Sequence, residues 1–233
     1  MPTGGPAQKE KNMKTKLLTL LTVVTLGIAA SARATMFGDP LVERAYASDF
    51  PVGQGQSAPV MVIPSAVLPT GTLDGFATWD QVDPGGSPFP SAGNTLTAYI
   101  LRPTGNPNQF TEVFNSGLLT IPPVSSSQVA TFLVSPFQTH AGDIIAFYGQ
   151  GVPVDITSAG TDILIYPAGS PPGLNATFTL GTPEFPIYPQ SRLYSFDAIV
   201  TPVPEASTVV AGALMLLPFG VSTLRIMRKN ILA

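Results

Sequence analysis

One histidine, His140, is the only side chain of this sequence whose ordinary pKa suits acid–base chemistry near neutral pH. The chain has no cysteine, so a single imidazole cannot build a zinc site of the usual cysteine and histidine type. No Gly-x-Ser-x-Gly stretch is present to hold a serine nucleophile on a strained turn. We therefore interpret His140 as a surface histidine in the turn before the apolar stretch that starts at Asp143.

Acidic side chains are the next candidates. Asp74, Asp80 and Asp83 lie close together in the sequence, and hard cations such as Ca²⁺ bind several oxygens on loops. Their spacing lacks the regular acidic positions and the terminal glutamate of an EF-hand loop. We expect no cofactor and no metal, with calcium at these three residues as the alternative.

Paired carboxylates could also hydrolyse glycosidic bonds, because that reaction needs two acids at a defined separation. Between Thr35 and Pro204 there are twelve acidic residues and three arginines, a net charge of −9, and the sequence does not show which acids lie together. We therefore expect no catalytic residue and keep a secreted carbohydrate-active enzyme as the alternative. The same negative charge disfavours nucleic acid as a partner.

Aromatic rings could stack on sugar faces if they were exposed. Rings at strand spacing more often fill a core. Polysaccharide therefore remains an expected partner, but the sequence does not show which surface would bind it. The rings in question are Trp79, Tyr99, Phe147, Tyr148, Tyr166 and Tyr188.

The elements that must position these residues are short strands. β-branched and aromatic runs alternate with Pro and Gly clusters about every ten residues, and no run has a convincing helical period. This pattern predicts an all-β body over residues 58–201, an antiparallel β-sandwich or jelly roll of about nine strands. Residues 35–57 are predicted to form an irregular lead-in. The strands are predicted at 59–63, 75–82, 95–102, 108–114, 128–134, 143–148, 162–166, 176–180 and 193–200.

The first 34 residues have the three parts of a secretory signal peptide. A basic stretch from Lys9 to Lys16 precedes an apolar helix from Leu17 to Ala30, and Ala32 and Ala34 form a small-x-small cleavage site. Cleavage by signal peptidase is expected after Ala34. The residues before Met13 add nothing to this signal, so Met13 is a candidate for the true start.

The other end of the chain carries a second apolar segment. Residues 206–224 would form a helix of roughly 28 Å, close to the thickness of a bilayer core. Arg225, Arg228 and Lys229 follow at once and are expected to stay in the cytoplasm. Residues 202–233 therefore predict a single transmembrane helix with a basic tail and with the body outside.

An acidic proline motif precedes this helix and reads Val203-Pro204-Glu205-Ala206. The order of motif, apolar helix and basic tail resembles the PEP-CTERM sorting signal of bacterial exported proteins. In that family a second proline commonly stands where this chain has Ala206.

The resemblance implies processing by an exosortase-type membrane transpeptidase. It implies export through the inner membrane, brief single-pass anchoring, and delivery to the cell surface or an exopolysaccharide matrix such as that of a biofilm. The expected role is non-enzymatic. A permanently anchored carbohydrate-binding protein is the further alternative.

Overall fold

The structure is a computed structural model that describes residues 33–49, 60–82, 91–165, 167 and 171–203. The predicted signal helix, the predicted transmembrane helix and the basic tail lie outside these residues. Within them, no helix has the length and apolar character needed to cross a membrane.

Twelve strands make up the described part of the chain, and every pairing between them is antiparallel. This confirms the prediction of an all-β body. They are β1 (Thr35–Gly38), β2 (Tyr46–Asp49), β3 (Val60–Val67), β4 (Gly71–Asp80), β5 (Thr95–Pro103), β6 (Gln109–Thr120), β7 (Gln128–Thr139), β8 (Ile144–Ile156), β9 (Ile163–Ile165), β10 (Thr177–Thr179), β11 (Arg192–Tyr194) and β12 (Phe196–Pro202).

The strands form two curled sheets. The small sheet has the order β1-β12-β4-β7, and the large sheet has the order β10-β6-β5-β8-β3-β9. β2 and β11 pair with the C-terminal half of β8. Long strands therefore stand at the centre of the large sheet, and its two outermost strands have three residues each.

The strand count exceeds the predicted nine for two reasons. The predicted lead-in at 35–57 contains β1 and β2 in its described part, so it is not irregular throughout. The single strand predicted at 193–200 is divided at Ser195 into β11 and β12, which join different sheets. The buried Ser195 hydroxyl forms hydrogen bonds with the backbone of Val42, which lies between β1 and β2. Ser195 is the residue that separates β11 from β12.

β8 is the central strand and is buried on both faces. Ile145 and Phe147 belong to a core shared by the two sheets, whereas Ile144, Ala146 and Tyr148 belong to a second core on the other face of the large sheet. The two-residue period of a strand explains this alternation. A strand that is covered on both faces reads as a continuous apolar run, as this one does.

Aromatic rings join the two sheets in the shared core. Phe147 lies 4.8 Å from Phe196 and 5.1 Å from Tyr194 between ring centroids, and Phe76 lies 5.7 Å from Phe196. Centroid separations in this range give favourable ring contacts beyond the burial of apolar area. Each of these side chains is almost completely buried.

The strand predicted at 143–148 is longer than expected, because β8 continues to Ile156. Gly149 and Gly151 have φ of 141° and 84°, which only glycine adopts readily. A Cβ atom at Gly149 would overlap the carbonyl oxygen of Thr95. These glycines let β8 pass close to β5 and then exchange its partners β3 and β5 for β2 and β11.

Candidate functional site

Ala34 and Val203, the described residues next to the two predicted processing sites, lie at the same end of the folded unit, residues 33–203. Thr35, directly after Ala34, pairs with Val200 in β12, three residues before Val203. Paired residues of antiparallel strands are about 5 Å apart and each further residue adds about 3.4 Å, so Ala34 and Val203 lie within about 20 Å of each other.

Val203 marks the point where the predicted sorting motif leaves the sheet. Its side chain is 55% exposed, and its backbone N–H donates to the carbonyl oxygen of Thr70 at 3.0 Å. The motif therefore begins on a fixed, accessible residue. Pro204, Glu205, Ala206, Arg225, Arg228, Lys229 and Ala32 lie outside the described residues.

The calcium candidates are separated by the structure. Asp74 accepts a hydrogen bond from the hydroxyl of Thr201 at 2.6 Å, near the start of β4. Asp80 ends the same strand and is fully buried, with no hydrogen-bond partner for either carboxylate oxygen. Six strand residues span about 20 Å, so these two carboxylates cannot bind one ion together. Asp83 lies outside the described residues, and among those described no group of three His, Asp or Glu side chains could hold a metal ion.

His140 lies in the turn between β7 and β8 with its side chain exposed. Its backbone N–H donates to Asp143 at 2.9 Å, and Asp143 also accepts two bonds of 2.8 Å from the Arg102 guanidinium. This contact raises the already high pKa of Arg102. The contacts close a turn.

The candidate sugar-stacking rings are distributed over different parts of the fold. Phe147 lies in the shared core, Tyr99 and Tyr148 lie in the second core, and Tyr188 stands at the surface with the Arg192 guanidinium 5.1 Å from its ring centre. Tyr166 lies outside the described residues. The rings that the structure describes therefore do not combine into one exposed platform.

Three buried carboxylates form a group that the sequence analysis did not single out, and we call it the acidic cluster. Asp39 directly follows β1, Asp162 bridges to Arg192 before β9, and Asp197 lies in β12. They are only 9%, 3% and 6% exposed, respectively. Each has one carboxylate oxygen that receives no hydrogen bond from an N–H or O–H donor: Oδ2 of Asp39, Oδ1 of Asp162 and Oδ1 of Asp197.

Burial and mutual repulsion shift the titration of this cluster. Burial raises the pKa of Asp162 to about 8, and the charge of Asp39 and a carboxyl–carboxyl hydrogen bond to Asp39 act in the same direction. The Tyr194 N–H at 2.7 Å and the charge of Arg44 oppose this shift. Burial, followed by the charge of Asp39, raises the pKa of Asp197 to about 7. Each shift favours a protonated carboxyl in the folded chain.

Arg44 holds residues 40–44 next to the acidic cluster through hydrogen bonds. Its guanidinium donates to the Ser195 hydroxyl at 2.7 Å, to Asp155 at 3.1 Å and to the carbonyl oxygen of Pro40 at 3.1 Å. The Ser195 hydroxyl in turn donates towards the carbonyl oxygens of Val42 and Pro40. Residues 40–44 are therefore held by a compact polar network.

A further buried acid lies on β6, away from the cluster. Glu112 is almost fully buried, and only one of its carboxylate oxygens has a partner, the Asn115 amide at 3.2 Å. Burial raises the pKa of Glu112 to about 7, against the opposing effect of Asn115. Burial, together with the charge of Glu112, raises the pKa of the Tyr99 phenol.

No sequence signal could have located the acidic cluster. Asp39 and Asp162 are distant in the chain, and neither belongs to a motif with a known chemistry. A weaker signal was available for Arg44, since it is one of only three bases in an acidic region and must find acidic partners. Comparison with protein-family models, curated proteins and solved structures finds no match to this chain.

Proposed function

We propose that this chain is an exported, non-enzymatic bacterial protein that is sorted through a PEP-CTERM-like C-terminal signal. The observation that carries the proposal is the order of features behind the last strand: Val203-Pro204-Glu205, the apolar run 206–224, and three cations. An apolar run of this length suits one membrane crossing, and the cations favour a cytoplasmic tail. An exosortase-type transpeptidase is the enzyme that would process it.

The position of Val203 supports this proposal. β12 lies between β1 and β4 in the small sheet, so the chain leaves the folded unit from a strand that is paired on both sides. The exposed Val203 then places Pro204 and Glu205 one and two residues beyond it. A membrane enzyme would meet the motif within one or two residues of the last described residue of the folded unit.

The folded unit serves, in this proposal, as a β-sandwich module of the cell surface or exopolysaccharide matrix. One observation supports a module that folds outside the cell without disulfides: its core is large and joins both sheets. Its strongly acidic composition favours basic or cation-bridged partners over anionic ones.

Permanent anchoring is the second candidate, and Ala206 favours it. A proline at this position would hold Glu205 in an extended conformation, and alanine removes that restriction. A transpeptidase would then meet a less strictly fixed motif. In that case the chain stays a single-pass surface protein with its helix intact.

Mass spectrometry of the mature C terminus tests the proposal. The full chain is expressed in a bacterium with and without an exosortase-type transpeptidase. We expect loss of the helix only when the enzyme is present, and we expect Glu205→Ala to abolish this loss.

A matched control is Glu184→Ala, which removes an exposed carboxylate elsewhere in the folded unit and is expected to leave processing unchanged. Ala206→Pro is expected to increase processing. An intact C terminus in every strain, including the Ala206→Pro variant, contradicts the sorting proposal and supports permanent anchoring.

A further inference from the structure

Asp39 and Asp162 lie close enough for their carboxyl groups to interact directly, and each has one oxygen without a donor. Oδ2 of Asp39 and Oδ1 of Asp162 are both inaccessible to solvent and receive no N–H or O–H bond. The other oxygens are occupied, since Oδ1 of Asp39 accepts from the Ser65 hydroxyl at 3.4 Å and Oδ2 of Asp162 accepts from the Tyr194 N–H at 2.7 Å. Two buried carboxyl groups that interact directly are stable as a pair only if something positive lies between them.

The nearby arginine does not supply that positive charge. The side-chain donors of Arg44 bond to Ser195, Asp155 and Pro40. Its guanidinium therefore affects Asp162 through its charge, which lowers the pKa of Asp162, and not through a hydrogen bond. Arg192, opposite Asp162, directs its guanidinium to Gln190 and the ring of Tyr188. Asp197, whose pKa is raised by burial and by the charge of Asp39, is itself an acid and supplies no positive charge. The charged neighbours leave the pair with excess negative charge.

We propose that Asp39 and Asp162 share one proton, and that this proton is a pH-sensitive latch that fastens residues 39–48 to the folded unit. Asp39 lies at the start of this segment, and Asp162 lies on the opposite side of the contact, beside β11. With the proton present, one carboxyl donates to the other. Without it, two buried carboxylates repel each other and the segment separates.

The direction of the pH dependence follows from the raised pKa. The pKa of Asp162 is about 8 in the folded chain, above its ordinary value of 3.8. The latch therefore makes its full contribution to the stability of the closed segment below about pH 4. Its contribution falls as the pH rises and is lost above about pH 8. Asp197, whose pKa is raised to about 7, adds to the loss in the same direction.

Hydrogen exchange of peptides covering residues 39–48 tests the latch in the full chain, purified in non-ionic detergent. After correction for intrinsic exchange, the opening constant of the wild-type segment is expected to rise about tenfold or more per pH unit between about pH 5 and pH 8. Asp162→Asn replaces the shared proton with an amide donor and keeps an oxygen for the Tyr194 N–H. It is expected to reduce this slope by about one decade per pH unit and to keep the segment closed at high pH.

Asp39→Asn is the second variant, because its amide can donate to Asp162 in the same way and its oxygen can keep the Ser65 bond. Glu184→Gln changes an exposed carboxylate and is expected to leave the slope unchanged. Exchange of peptides from β8 reports in every sample whether the core stays folded.

Two outcomes overturn the latch. If both asparagine variants keep the wild-type slope while β8 stays protected, the pair does not carry the titrating proton. If a chelator removes the protection of residues 39–48 at pH 6 and added calcium restores it, a cation and not a proton joins the two carboxyls.

Discussion

Replacing Arg44 with methionine tests how strongly the polar network holds the N-terminal segment. The arginine is almost completely buried and makes three side-chain hydrogen bonds, to Ser195, Asp155 and Pro40. Methionine retains most of the apolar stem and removes the guanidinium, so the lost free energy reports on the hydrogen bonds more than on packing.

The expected cost is about 3 kcal/mol. A hydrogen bond to a charged group contributes about 1.5–3 kcal/mol net, and less where the partner keeps other bonds or regains water. The Asp155 side chain is 37% exposed and keeps the Ala45 N–H, so we reduce its share to about 1 kcal/mol. The bonds to Ser195 and Pro40 contribute about 1 kcal/mol each, because the Ser195 hydroxyl and the Pro40 carbonyl oxygen keep the bond between them.

Urea unfolding of the wild type and the variant measures this difference, with the single tryptophan, Trp79, as the fluorescent reporter. Arg192→Met is the matched control, because Arg192 makes only two long bonds of 3.4 Å, both to Gln190, and one ring contact. It is expected to cost less than about 1 kcal/mol. A double-mutant cycle of Arg44→Met with Asp155→Asn should give a coupling energy of about 1 kcal/mol.

The reasoning is refuted if Arg44→Met changes the free energy of unfolding by no more than the Arg192→Met control does. A cost near 3 kcal/mol with no coupling to Asp155 would place the whole effect on Ser195 and Pro40. That result contradicts the assignment of a stabilising ion pair to Asp155.

Two further substitutions test other parts of the fold. Glu112→Gln removes a buried acid whose pKa is raised to about 7, so the wild type loses stability as the pH rises from about 4.5 to 7 and the variant does not. We expect the variant to be more stable by about 3 kcal/mol at pH 8 and close to wild type at pH 4, as measured by urea unfolding at both values. Equal stabilities at pH 8 would contradict the raised pKa. Gly149→Ala places a Cβ against the backbone of Thr95 at a φ of 141°, and a loss of more than about 2 kcal/mol is expected in thermal unfolding. Gly173→Ala, where nothing lies within 4 Å of the added carbon, is its control.

Local patterns in the sequence carried most of the strand assignment. β5 and the start of β8 were predicted close to their observed positions, because an apolar and β-branched run between Gly and Pro clusters defines a strand through its own neighbours. β1 and β2 were missed, since their stability comes from pairing with β12 and β8 rather than from their own composition. The division at Ser195 was missed for the same reason, because the partners of its hydroxyl are as many as 155 residues away in the chain.

The sequence alone determined what depends on neighbouring residues: two apolar segments bordered by cations, the Val203-Pro204-Glu205 motif, an acidic body, and the two-residue period that marks strands. Only the tertiary structure decided which distant carboxylates meet. It separated Asp74 from Asp80 along one strand, and it brought Asp39 and Asp162 together in a buried site. The physical reason is that charge and hydropathy act along the chain at short range, whereas burial and the pKa shifts it causes depend on which strands pair and how the sheets pack.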